Sequence, residues 1–164
     1  MKTTAALPPI DLEEQPGHVI RRLHQIAVAI FLREAEDTGL TPVQYAVLQT
    51  VANQPGVDQR TLARSAGLDT STIAGVVDRL EARELLVRGT TREDRRVRRL
   101  SLTGDGHALL AQAVPAMRRA QERILEPLDA AERRDFMRLM RKLVAENNEM
   151  SRAPQLGVGS ANAS

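Results

Sequence analysis

The chain has 164 residues, of which 42% are hydrophobic, 2% are aromatic and none is cysteine, and its formal net charge is +2. This length suits one core with a dimerisation arm. The lack of cysteine excludes disulfides, thiolate metal sites, thiol redox sensing and cysteine nucleophiles, and the scarcity of aromatics argues against stacking on single-stranded bases.

Charge is unevenly placed: Arg88, Arg92, Arg95, Arg96, Arg98 and Arg99 fall close together, whereas residues 7–15 lean acidic. No long apolar stretch follows Lys2 and nothing approaches a membrane span, so a soluble, cytoplasmic protein with no membrane partner is expected.

Residues 1–16, with Pro8 and Pro9, read as a flexible arm. Ile20, Leu23, Ala27, Ile30 and Phe31 recur at helical spacing and predict a helix over 17–37, stopped by Gly39. Thr41-Pro42 is a start signal for a helix to Asn53, with Tyr45, Leu48 and Val51 inward. Asp58 can cap a short helix carrying Leu62, Ala63 and Ala66. Gly67 breaks it, and Asp69 or Thr70 caps a helix that buries Ile73, Val77 and Leu80 and ends near Glu84.

The period then changes. Alternation over 86–90 and 97–102, flanking residues 91–96, predicts a β-hairpin with a charged tip. Thr103 caps a long helix in which Pro115 should introduce a kink. Asp129 opens a last helix with Phe136, Leu139, Met140, Leu143 and Val144 on one stripe. Residues 151–164 have the composition of a disordered tail.

Two features carry chemistry. Residues 59–86 match a helix-turn-helix, whose second helix would lie in a major groove of DNA; an ordinary helical hairpin would look the same. The outward face of that helix would show Ser71, Ala74, Gly75 and Asp78, with free N–H groups from Thr70 to Ile73. Thr70, Ser71 and Thr72 can contact base edges, small Gly75 lets the backbone approach, the helix start can hold a phosphate, and Arg79 is the first base-capable cation. In the hairpin, Arg92, Arg95 and Arg96 can enter a narrow minor groove, although Glu93 and Asp94 offset part of their charge.

These stretches carry a resemblance to the MarR family of winged-helix regulators. LTPVQYAVLQTVANQPG, the helix pair through VVDRLEARELLVR, and DRRVRRLSLTGDG are similar to that family over residues 17–149. The resemblance implies a mainly α fold with a small β-wing: a winged helix-turn-helix with N- and C-terminal dimerisation helices. It implies a DNA-binding lobe over 41–103 and a helical dimerisation region over 17–40 and 104–150. It also implies a homodimer on duplex DNA, an Asp78–Arg96 pair bracing the wing, and Arg95 or Arg96 in the minor groove. The departure lies at Ala74-Gly75, where many members carry larger polar or basic residues.

The family often binds small aromatic acids or phenols beside the dimer helices. His18 and Arg22, one turn apart, together with Tyr45, offer a cationic grip and a hydroxyl for a ring carboxylate; a surface pair and a core tyrosine are the plain alternative. His18, His24 and His107 are too few and too scattered for a metal, and no cofactor or catalytic constellation is legible, so no enzyme is expected. The reading is a ligand-responsive dimeric regulator, a repressor on a palindromic operator. A sequence-tolerant architectural DNA binder and a winged-helix protein-interaction module are the competing readings.

Overall fold

A computed structural model describes residues 10–90 and 98–150. Helix α1 (Pro16–Glu34) has proline in its first turn, where a missing N–H costs nothing, so Pro16 belongs to the helix rather than to the arm. α1 ends sooner than its apolar spacing implied. The Thr38 hydroxyl donates to the Ala35 carbonyl (2.7 Å), and the chain tightens into a 3-10 turn (Glu36–Thr38). Gly39, at φ +59°, then reverses the chain.

Helix α2 (Pro42–Asn53) starts in a capping box: Thr41 Oγ1 accepts from the Gln44 N–H (3.2 Å), and Gln44 Oε1 accepts from the Thr41 N–H (3.0 Å). Strand β1 (Val57–Asp58) leads into α3 (Gln59–Ala66), capped by Asp58. Helix α4 (Thr70–Ala82) follows, then β2 (Leu86–Thr90), β3 (Arg98–Leu102), α5 (Gly104–Ile124) and α6 (Ala130–Glu146). A 3-10 turn (Asn148–Met150) closes the described chain. Pro115 lies inside α5 without dividing it; the residue is exposed, and proline removes only its own N–H from the helix ladder.

The hairpin is joined by a third strand that has no signature of its own. β1 pairs antiparallel with β3 (Val57 opposite Leu100), and β3 pairs with β2 (Leu86 opposite Leu102), so the order is β1-β3-β2. Two residues are too few to show alternation.

The main core lies beneath this sheet. Leu48 from α2, Leu62 from α3, Ile73, Val77 and Leu80 from α4, and Leu86 and Leu100 from the strands are almost fully buried. Each such side chain contributes about 1.5–3 kcal/mol relative to exposure. A smaller cluster forms where α1 crosses α5: Phe31 and Ala35 pack on Ala116 and Ala120, and Tyr45 touches both clusters. Glu34, 12% exposed, fastens this crossing by accepting from Arg119 (2.9 Å) and Arg123 (2.5 Å). Arg123, then Arg119, hold its carboxyl below the usual carboxylate range.

α6 stands apart, with no buried residue. Leu139, Leu143 and Val144 are about half exposed or more, as are Ile20 and Ile26 on α1. A groove of about 430 Å³ separates Ile20 from Met140, Leu143 and Val144.

Candidate nucleic-acid interface

The turn between α3 and α4 is set by one glycine. Gly67 takes φ +66°; its N–H donates to the Arg64 carbonyl (3.2 Å), and the Leu68 N–H donates to the Ala63 carbonyl (2.9 Å), so α3 ends in a Schellman-type turn. Asp69 then starts α4 at once. This places α4 across α3 with Ile73, Val76, Val77 and Leu80 buried, while Thr70, Ser71, Thr72, Asp78 and Arg79 are exposed and Ala74 and Gly75 half-buried.

The start of α4 is not an open anion site, which corrects one expectation. Asp69 accepts from the Thr72 N–H (2.8 Å), the Thr72 hydroxyl (2.6 Å) and the Ser71 hydroxyl (2.5 Å), and the Ile73 N–H donates to the Asp69 carbonyl. The Ser71 hydroxyl, then that of Thr72, hold the Asp69 carboxyl well below the usual carboxylate range. A negative charge therefore already occupies the place of a bound phosphate. Ser71 and Thr72 face outward with their hydroxyl hydrogens committed to this cap.

Arg79 lies closer to the middle of α4 than its number implies. Side chains on a helix lean toward its N-terminus. Both terminal guanidinium nitrogens of Arg79 sit over Gly75, at 3.6 and 3.9 Å from where a Cβ would stand. The small residue thus provides a bed for a cation at the point where the family resemblance left a gap.

Asp78 meets a partner that the sequence reading had not assigned. Arg88 on β2, 15% exposed, donates to Asp78 (2.5 Å) and to Glu81. The hydrogen bond that Arg88 donates to Asp78 leads in raising the Arg88 pKa above its usual value. The stem of the wing is thereby tied to α4. The sign of Arg88 was readable but its reach across ten residues was not, because it depends on how β2 returns along α4. Arg92, Arg95 and Arg96, and with Arg96 the expected Asp78–Arg96 brace, lie outside the described residues. On the returning strand Arg98 and Arg99 are exposed, and Arg99 donates to the Gly56 carbonyl (3.1 Å).

The three candidate effector residues do not meet within one chain. His18 and Arg22 sit in the first turns of α1 around Glu13, at 3.8 and 2.5 Å. Tyr45 lies beside Phe31, with ring centroids 6.0 Å apart, and its hydroxyl donates to Gln49 (3.1 Å). From His18 to Phe31 along α1 is about 20 Å at 1.5 Å per residue. Burial raises the Tyr45 pKa, and the cation whose charge reaches it is Arg118 on α5, not Arg22. Among the described residues no cluster of His, Asp or Glu is placed to hold a metal ion, and no helix is long and apolar enough to cross a membrane.

Comparison with known proteins gives this geometry a lineage. The MarR family model matches residues 38–97, beginning in the 3-10 turn ahead of α2. The HTH-type transcriptional repressor NicR of Pseudomonas putida is 36% identical over 136 residues, which cover 83% of this chain and 86% of NicR. The crystal structure of the PcaV transcriptional regulator of Streptomyces coelicolor in complex with its natural ligand superposes with a TM-score of 0.79 at 36% identity, covering 84% of this chain and 97% of PcaV. BpsR of Bordetella bronchiseptica, whose DNA binding is regulated by 6-hydroxynicotinic acid, superposes at 0.78 with 34% identity, covering 83% and 97%. With its mainly helical fold, three-stranded wing sheet and outward-facing second helix, the chain belongs to the MarR family of transcriptional regulators.

Proposed function

We propose that this regulator is a cytoplasmic, ligand-responsive repressor that binds a palindromic duplex operator as a homodimer. The observation that carries the DNA role is α4 itself: its apolar side is buried while Thr70, Ser71, Thr72 and Arg79 face solvent beside the arginine-rich wing. Thr70, Ser71, Thr72, Gly75 and Arg79 form the major-groove face. Arg92, Arg95 and Arg96 grip the minor groove and the phosphates, and Arg96 shares Asp78 with Arg88.

The dimer reading rests on α1 and α6. Leu139, Leu143, Val144, Ile20 and Ile26 leave more apolar surface exposed than a lone chain would keep, and a second copy would cover it. Such a dimer presents two copies of α4 about 34 Å apart, one turn of DNA.

The effector is a small aromatic carboxylate or phenol. BpsR supports this class by similarity, and the half-buried Tyr45 beside Phe31 offers a ring-sized apolar wall with a cation near it. His18, Arg22 and Tyr45 are its proposed contacts. A single ring acid can touch all three only if the His18–Arg22 end comes from the other chain of the dimer, so effector binding would report on dimer geometry. The acid shifts DNA affinity only as far as it prefers one geometry over the other.

The small face at Ala74 and Gly75 favours a second reading, a sequence-tolerant architectural binder. Half-site spacing separates the two. Duplexes are selected from a random library, and five base pairs are then inserted between the half-sites. The repressor reading expects sedimentation as a dimer and loss of about tenfold or more in affinity on insertion, because half a helical turn puts the second groove on the wrong side. Unchanged affinity, or selection of no common sequence, contradicts it.

A further inference from the structure

The first turns of α1 carry a pair of basic side chains, and the chain already sets an acid of its own against them. Residues 10–15 fold back along α1 as a turn. The Glu13 N–H donates to Asp11 Oδ1 (2.9 Å), and the Gln15 N–H donates to the Leu12 carbonyl (3.1 Å). Pro16 starts the helix directly afterwards, so the turn stays close to it. The turn presents one carboxylate. Glu13 Oε1 accepts from Arg22 Nη1 (2.5 Å) and lies 3.8 Å from His18 Nε2.

Glu13 fills this grip only in part. It meets Arg22 through one oxygen and one nitrogen, and among the described residues no other acceptor is recorded for the Arg22 guanidinium. A guanidinium binds a free carboxylate best as a fork, with two parallel N–H···O bonds. Glu13 and Arg22 are both more than half exposed, and an ion pair so exposed is weak. An acid that takes two donors of Arg22 can therefore displace it. Beside the pair, Glu13, Val19, Arg22, Leu23 and Ile26 line a pocket of about 220 Å³. The ring of such an acid would lie on Val19, Leu23 and Ile26. A neutral ring makes no claim on the guanidinium and leaves Glu13 in place.

We infer that Glu13 is a specificity-determining residue of the effector site: a tethered carboxylate that stands in for the ligand's own on Arg22 and His18, and has to leave before an acid binds. This rests on the effector role proposed for His18 and Arg22. Glu13 then sets the acid concentration at which the regulator responds, because apparent affinity falls with the fraction of chains whose grip is free.

The test titrates full-length protein calorimetrically with benzoate- and nicotinate-like acids and with the matching amides, which keep the ring and lose the charge. Removing an exposed competitor of this kind should tighten binding by about two- to fivefold. E13Q should show that gain for the acids and none for the amides. E14Q is the control: it removes the same charge one residue further on, where no ion pair is recorded among the described residues, and should keep the wild-type affinity. A merely structural ion pair would not tighten one class of ligand when removed.

Acid affinity in E13Q equal to or below wild type overturns the assignment of Glu13. So does an equal gain in E14Q, or an equal gain for the amides. Failure of every acid to bind both wild type and E13Q overturns the effector reading beneath it, and is distinct from those results.

Discussion

Gly106 packs against the Leu85 carbonyl just ahead of β2, and its replacement by alanine should be costly. It lies buried in the first turn of α5, and a Cβ there would stand 2.1 Å from the Leu85 carbonyl oxygen and 3.0 Å from its carbon. An ordinary carbon–oxygen contact is about 1 Å longer, so α5 and the start of β2 must separate by roughly that amount. Two hydrogen bonds hold this seam: the Thr103 hydroxyl donates to the Glu84 carbonyl (2.6 Å), and the Thr103 N–H donates to the Leu85 carbonyl (3.2 Å). Losing both costs about 1–3 kcal/mol, and the local overpacking adds about 1–3 kcal/mol. The better helix propensity of alanine returns at most about 1 kcal/mol. Gly106→Ala should therefore destabilise by about 1–6 kcal/mol. Gly104→Ala, where nothing lies within 4 Å, should be neutral or slightly stabilising. Urea unfolding followed by circular dichroism, at one protein concentration for all variants, measures both. A Gly106→Ala midpoint indistinguishable from wild type would refute the reasoning, because no rearrangement that keeps the seam can absorb a 2.1 Å contact.

Other consequences can be measured alongside. Glu84 is the one non-glycine residue with positive φ (+59°) among the described residues, so Glu84→Gly should raise stability by up to about 1 kcal/mol; a lower unfolding midpoint would show the turn to be unstrained. Glu34 has a depressed carboxyl pKa in the fold, so its stabilisation is fully present above the unfolded pKa and disappears as pH falls through the folded one. The stability gap between wild type and Glu34→Gln should accordingly close as pH is lowered from about 6 to about 3; a gap independent of pH speaks against the pairing with Arg119 and Arg123. Arg95→Ala and Arg96→Ala should weaken all duplexes alike and lower the slope of log affinity against log salt by about one for each phosphate contact removed. Sequence-dependent losses would instead assign those residues to base reading. Tyr45→Phe and Arg22→Ala should each weaken an aromatic acid without altering ligand-free DNA affinity, and a titration in which neither changes the acid's affinity removes them from the effector site.

The elements that were legible in the sequence are those whose signals are local. Thr41 with Pro42, Asp58, Gly67, Asp69, Thr103 and Asp129 are caps or turns whose chemistry lies within a few residues, and the structure uses each of them. The inward stripe of α4 was likewise set by period alone, with Val76 the buried member that the spacing missed. What was not legible depends on distant partners. β1 is too short to alternate and exists because Leu100 offers Val57 a ladder. Arg88 looked like one more basic residue of the wing until the return of β2 set it between Asp78 and Glu81. The anion site at the start of α4 was misread because an N-cap that satisfies the helix also fills it with its own carboxylate. His18, Arg22 and Tyr45 were chosen for chemistry that suits an acid, but helix length separates them, and one-dimensional spacing carries no information about a second chain.

The central claim is that an aromatic acid controls DNA binding by this chain. It is tested most directly by fluorescence anisotropy with a duplex selected by the protein and a scrambled duplex, at physiological salt, with and without benzoate- and nicotinate-like acids. The account predicts tight binding to the selected duplex, weak binding to the scrambled one, and at least tenfold weakening of the first by one acid of this class, corresponding to about 1.4 kcal/mol of coupling. Equal affinity for both duplexes, or selective binding that no acid of the class alters, would contradict it.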